Sequence, residues 1–118
     1  MSDTRAVAED FTNLLKADDH MGAAMKYWSD DVVSLEGAEG DMARVEGKDA
    51  VIKKGEWWYE NHDVHSVTAE GPYVNGDQFI VKFEMDITEK ASGNRMQMAE
   101  MGVYTVKNGK VVEERFYY

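Results

Sequence analysis

Residues 96–112, MQMAEMGVYTVKNGKVV, carry the reading that decides the fold. Met96, Met98, Glu100, Gly102, Tyr104 and Val106 recur at every second position, so in an extended chain they share one face. Asn108-Gly109 then breaks the pattern, and Asn-Gly between two apolar runs is a strong signal for a tight hairpin. The stretch therefore predicts two antiparallel strands, Met96–Val106 and Lys110–Tyr118. Upstream, Val64–Tyr73 and Gln78–Thr88 show the same alternation, and Asn75-Gly76-Asp77 and Ser92-Gly93-Asn94 supply the turns. Four strands in a meander follow from these signals.

Before His62 the period is helical. Residues 3–17 place Val7, Phe11, Leu14 and Leu15 on one stripe. Asp18 or Asp19 caps a second, short helix, where Met21, Ala24, Met25 and Trp28 repeat the spacing. Val32–Glu36 reads as a short strand, and the Gly- and acid-rich residues 37–46 as a loop or irregular hairpin. Gly47 to Asn61 reads as a third helix with Val51, Gly55 and Trp58 on one face. Helices first and a meander afterwards predict an α+β fold, with the helices on one face of a curved sheet.

The chain has 118 residues and a formal net charge of −10, with no Cys. That length suits one domain over residues 1–118 and a core that needs no staple. The charge argues against nucleic acid and anionic lipid, which need Lys and Arg to displace counterions. Lack of Cys excludes a disulfide scaffold, a thiol nucleophile and a thiolate zinc site. No apolar run approaches the roughly 18 residues of a membrane span, and Met-Ser-Asp-Thr-Arg opens no secretory signal. A cytoplasmic location is the expectation. Phosphate-binding glycine loops, zinc-protease helices and nucleophile elbows are absent.

Three segments carry a family resemblance: Tyr27-Trp28-Ser29-Asp30-Asp31-Val32-Val33, Val45-Glu46-Gly47-Lys48-Asp49-Ala50-Val51 and Tyr104-Thr105-Val106-Lys107-Asn108-Gly109-Lys110-Val111-Val112. In order and spacing they resemble the SnoaL-like branch of the nuclear-transport-factor-2-like superfamily, which includes ketosteroid isomerases and polyketide cyclases. The resemblance covers essentially the whole chain. It implies a cone: three N-terminal helices packed on a strongly curved, mostly antiparallel sheet, with a cavity open at one end. It also implies a homodimer through the outer sheet face. The superfold hosts enzymes, binding modules and dimerisation modules alike.

By this resemblance Glu36 falls where ketosteroid isomerases carry their general-base Asp. A carboxylate at a cavity mouth suits proton shuttling, because desolvation raises its pKa. The oxyanion-stabilising pair of those isomerases is missing, since Gly102 stands at the Asp position and Phe11 or Thr12 near the Tyr. Steroid isomerisation is therefore not expected.

Strand alternation supplies other acids. If Tyr104 faces the helices, Glu100 does too. On the preceding strand Lys82, Glu84, Asp86 and Thr88 alternate with Phe79, Val81, Phe83, Met85 and Ile87. Either the apolar set is core and the acids are solvated, or the Phe-rich face is a dimer interface and Glu84 and Asp86 enter the cavity. His62 and His65 flank Asp63 and offer a proton carrier near neutral pH, without metal-ligand spacing. His20 reads as surface. Tyr27, Trp57, Trp58 and Tyr104, with the soft side chains Met85 and Met98, are the expected pocket walls.

These readings predict a small, largely apolar organic molecule as partner, with no cofactor and no metal. Glu36 is the expected base, and Glu100, Asp86 or His62 the acid or water-orienter, in an isomerisation, a cyclisation or a water addition. The alternative is a non-catalytic ligand-binding or dimerisation module with a vestigial cavity.

Overall fold

The structure, a computed structural model, describes residues 2–37 and 39–118. Its elements run α1 (Ser2–Lys16), α2 (His20–Tyr27), β1 (Trp28–Leu35), β2 (Arg44–Glu46), α3 (Lys48–Asn61), β3 (His62–Asn75), β4 (Gln78–Glu89), β5 (Arg95–Lys107) and β6 (Lys110–Tyr117). The six strands form one sheet in the order β2-β1-β6-β5-β4-β3. The expected α+β architecture, helices on a mostly antiparallel sheet, is what the chain adopts. No helix among the described residues is long and apolar enough to cross a membrane.

The meander β3–β6 is antiparallel throughout, and β1 lies parallel to β6. Asn108 and Gly109 both have positive φ (53° and 76°), as a two-residue turn with the hand of the strand twist requires. The expected irregular hairpin is present at its end, because β2 pairs back antiparallel on β1.

α1 lies against β3 and β4 through Thr4, Val7, Ala8, Phe11, Thr12 and Leu15, all buried at helical spacing. The core cluster joins them to Phe79, Val81, Phe83, Tyr104, Val106 and Val111 from the sheet. The apolar set of β4 is therefore interior, and Lys82, Glu84 and Asp86 face outward. This overturns the inverted reading: Asp86 holds a bidentate pair with Arg95 at 2.8–3.0 Å on the outer side, far from any acid cluster inside.

α2 also departs from expectation. Ala23 and Ala24 are its buried residues, while Met21 and Met25 are 48% and 55% exposed. Trp28 does not end the helix but opens β1, which starts four residues before the expected strand. Small residues let the short helix sit close beneath α1, a packing that a count of apolar spacing misses. Asp19 caps α2 by accepting from the Gly22 N–H at 2.9 Å. A Cβ at residue 22 would stand 2.2 Å from the Asp19 carboxylate, so Gly22 makes room for the cap. Asp19→Ala is expected to cost about 1 kcal/mol of stability, read by urea unfolding. An unchanged midpoint would show that the cap is idle.

Candidate functional site

Between the helices and the sheet lies a cavity of about 240 Å3. α3 presents Val51, Lys54, Gly55 and Trp58 to it at spacings of three and four residues, one helical face. β1 supplies Trp28 and, just past its end, Glu36. β4 supplies Phe83 and Met85, β5 supplies Glu100 and Tyr104, and β6 supplies Glu114 and Phe116.

Glu114 is inside because of a single extra residue. Val106 pairs with Val111, but Thr105 pairs with Glu113, so Val112 is a bulge. Without it Tyr104 would face Glu113. With it, Glu114 lies directly opposite Tyr104 on one side and opposite Ser34 of β1 on the other. A shift of one residue exchanges the two faces of a strand.

The polar groups form a connected set. Lys54 Nζ donates to Ser34 Oγ at 2.7 Å and lies 3.2 Å from the Glu36 carboxylate. Ser34 in turn donates to Glu114 Oε2 at 2.7 Å. Lys54 Nζ also sits 5.7 Å from the centre of the Phe116 ring. Among the described residues Lys54 is the only Lys or Arg in the cavity wall, against three carboxyls.

Two of those carboxyls are poised near neutrality. Glu114 is 5% exposed; burial pushes its carboxyl up to about 7, Glu36 pushes the same way, and Ser34 and Lys54 hold it down only in part. Burial likewise raises Glu100 to about 7, with the negative charges of Glu36 and Glu114 adding to it and Lys54 opposing. Among the described residues Glu100 has no hydrogen-bonding side chain and no ion pair. A half-buried carboxyl with open lone pairs, titrating near neutral pH, can take and return a proton. The neighbouring groups set its proton affinity.

The expected site residues divide. Glu36, Glu100, Tyr104, Trp57, Trp58 and Met85 line the cavity. Asp86, His62, Tyr27 and Met98 do not. Asp86 is outside for the reason given above. His62 Nδ1 donates to the Trp58 carbonyl at 2.8 Å and its ring stacks on Trp58 at 4.7 Å, so it satisfies the end of α3. Tyr27 donates its hydroxyl to the Asp10 carboxylate, which also takes Lys26 at 2.6 Å. Met98 shares the face of Glu100 but lies further along β5, outside the cavity wall.

Among the polar groups not foreseen as site residues are Lys54, Glu114 and His20 in the wall and Ser34, which joins Lys54 to Glu114. Lys54 falls on the predicted α3 face three residues after Val51, so its place was readable. Alternation back from Phe116 would have found Glu114, and alternation from Val32 would have found Ser34. His20, expected at the surface, lines the cavity instead. Its Nε2 is 3.5 Å from Asp18, and burial depresses its imidazole against the pull of Asp18 and Asp19. Among the described residues no cluster of three His or acidic side chains is arranged to hold a metal ion.

Fold and site together define a class: an α+β cone enclosing a small, aromatic, acid-lined chamber. A family model for the SnoaL-like domain matches residues 2–118, and the chain belongs to that family. A Mesorhizobium loti protein provisionally described as a SnoaL-like polyketide cyclase, with carbohydrate phosphatase added, is 57% identical over 97% of each chain, with a TM-score of 0.95. A protein of Jannaschia sp. CCS1, also provisionally a SnoaL-like polyketide cyclase, is 16% identical over 95% of this chain and 85% of its own, with a TM-score of 0.76. A Catenulispora acidiphila protein of ketosteroid isomerase-like fold, in complex with trimethylamine, is 16% identical over 81% and 72%, with a TM-score of 0.69. Among curated proteins, none matches this chain.

Proposed function

We propose that this protein moves protons on a small, largely apolar carbonyl compound, as an isomerase- or cyclase-type catalyst. One observation carries the reading: Glu100, poised at about 7 and without a side-chain partner, opens onto a chamber walled by rings. An apolar cavity of about 150 Å3 takes benzene, so about 240 Å3 suits one or two fused rings rather than four.

In this reading the Glu100 carboxylate removes a proton from the carbon next to the carbonyl. The C–H electron pair becomes the new C=C bond, and the carbonyl π pair moves onto oxygen. The resulting carboxylic acid returns the proton at another position. Glu36 was the expected base, but its carboxylate is held by Lys54 at 3.2 Å, and Glu100 is the better placed carrier. Glu36, Lys54 and Glu114 then act by setting the proton affinity of Glu100.

The test is exchange of the α-protons of β-tetralone in heavy water, followed by proton NMR. The expected rate rises with pH and levels above about 7, as the Glu100 base form fills. Glu100→Gln is expected to slow exchange about a hundredfold or more. Asp86→Asn, on the outer face, is expected to leave it unchanged. Equal rates in wild type and Glu100→Gln would remove the proposal. Tight binding of the ketone with no exchange would favour a non-catalytic ligand carrier.

A further inference from the structure

We propose that the Tyr104 hydroxyl donates the hydrogen bond that holds and polarises the substrate carbonyl oxygen, and that Gly102 is glycine to let it do so. This rests on the proton-transfer reading above and names the second group that such chemistry needs. It also names what a ligand must present: an oxygen acceptor beside the carbon that meets Glu100.

Three observations converge on Tyr104. Its ring is locked. It stacks on Phe79 at 5.0 Å and 20°, meets Phe11 at 4.9 Å, and takes Phe116 edge-on at 6.4 Å and 88°. Rings fixed on three sides hold a hydroxyl in one place, and a preorganised donor is what developing negative charge on oxygen requires.

Its direction is set by Gly102. Residues 102 and 104 share a strand face, and the Tyr104 ring leans back over the glycine. A Cβ at residue 102 would lie 2.8 Å from the hydroxyl and 2.9 and 3.0 Å from two ring carbons. Any larger residue there would displace the phenol. Glu100 is two residues further along the same face, so the hydroxyl is aimed along β5 toward the proton carrier. Carboxyl and donor thus border the same space, the arrangement from which a reacting carbonyl can be reached by both.

The hydroxyl is also unclaimed. Tyrosine hydroxyls normally find a partner when buried. Among the described residues no side chain hydrogen-bonds to that of Tyr104, although the residue is 3% exposed. Thr12 Oγ1 and Trp28 Nε1 are buried with no hydrogen-bond partner; the Tyr104 hydroxyl is not among such atoms, and Tyr104 borders the cavity. Burial and the surrounding carboxyls Glu114, Glu100 and Glu36 hold the phenol well above its ordinary value, so it stays a donor across the working pH range. Lys54 supplies the positive charge that offsets the acids around the oxygen.

The experiment uses β-tetralone labelled at its carbonyl, bound to the full chain. Isotope-edited infrared spectra read the carbonyl stretch, tryptophan fluorescence reads the Kd, and heavy-water NMR reads exchange. In wild type the carbonyl band is expected to shift to lower frequency than in an apolar solvent. Tyr104→Phe keeps the ring and removes the oxygen: the band is expected to return, exchange to fall about 10²–10³-fold, and Kd to change less than about tenfold. Gly102→Ala is expected to reproduce the band of Tyr104→Phe, and Tyr104→Phe alone decides the matter if Gly102→Ala does not fold. Glu100→Gln is expected to keep the shifted band while losing exchange. An identical band in wild type and Tyr104→Phe overturns the assignment and leaves Glu100 untouched. Exchange that survives Glu100→Gln overturns the proton-transfer reading, while the band still judges Tyr104. If the ketone does not bind wild type at all, both fall.

Discussion

Between about pH 5 and pH 8 wild type is expected to lose stability that Glu114→Gln keeps, with a gap on the order of 3 kcal/mol. The sign follows from Glu114. Its folded pKa, about 7, lies above its ordinary value of 4.5. The folded state therefore binds its proton more tightly than the unfolded state. Stability is full below about 4.5, falls as pH rises toward 7, and is level above. Glu100 acts in the same window and direction, with a smaller effect because it meets solvent in the cavity. His20 acts oppositely: burial depresses its imidazole below 6.5, so it costs stability as pH falls. Asp10 and Asp86 are both lowered below 3.8 by charged partners, so the stability they add is lost only in stronger acid. Wild type alone reports the sum of these groups. The difference between wild type and Glu114→Gln isolates one of them, because glutamine can still accept from Ser34. Urea unfolding at a series of pH values measures it, and parallel curves for the two proteins would mean that Glu114 is not a buried, neutralised acid.

Replacing Lys54 by Met is expected to destabilise the protein by about 3 kcal/mol at about pH 8. Lys54 is 12% exposed, and its ammonium reaches Ser34 and Glu36 at 2.7 and 3.2 Å. Removing it leaves three carboxyls with no Lys or Arg among the described residues of the cavity wall. Breaking a buried pair from one side strands the other charge, and that desolvated charge is the main cost. The loss is expected to shrink near pH 5, where Glu100 and Glu114 hold their protons. Adding Glu36→Gln is expected to recover part of it, a coupling that a double-mutant cycle reads directly. A loss equal at both pH values, and untouched by Glu36→Gln, would assign Lys54 to packing alone.

The same network marks how far the sequence could be read. The turn at Asn108-Gly109, the meander and the apolar stripe of α1 were legible because turn chemistry and periodicity act over a few residues. Glu36 was reached through the family resemblance and Glu100 and Tyr104 through alternation, and all three line the cavity. Asp86 and Met98 fail on the same rule. Alternation shows which residues share a face, but neither which face is inside nor how far along the strand the cavity extends. His62 and Tyr27 fail because a partner four residues back, Trp58, and one on α1, Asp10, claim their polar atoms.

Local sequence alone determined the α+β order, the hairpin register at Asn108-Gly109 and a strand face carrying Glu100 with Tyr104, since each depends on neighbours a few positions apart. Tertiary structure decided the chemistry of the cavity. One bulged residue at Val112 turned Glu114 rather than Glu113 inward, and the parallel pairing of β1 with β6 set Ser34 beside it. Lys54 reached Ser34 and Glu36 only once α3 had packed across β1. Those contacts join residues 20 and 80 positions apart, and burial, not composition, moved their carboxyls toward neutrality.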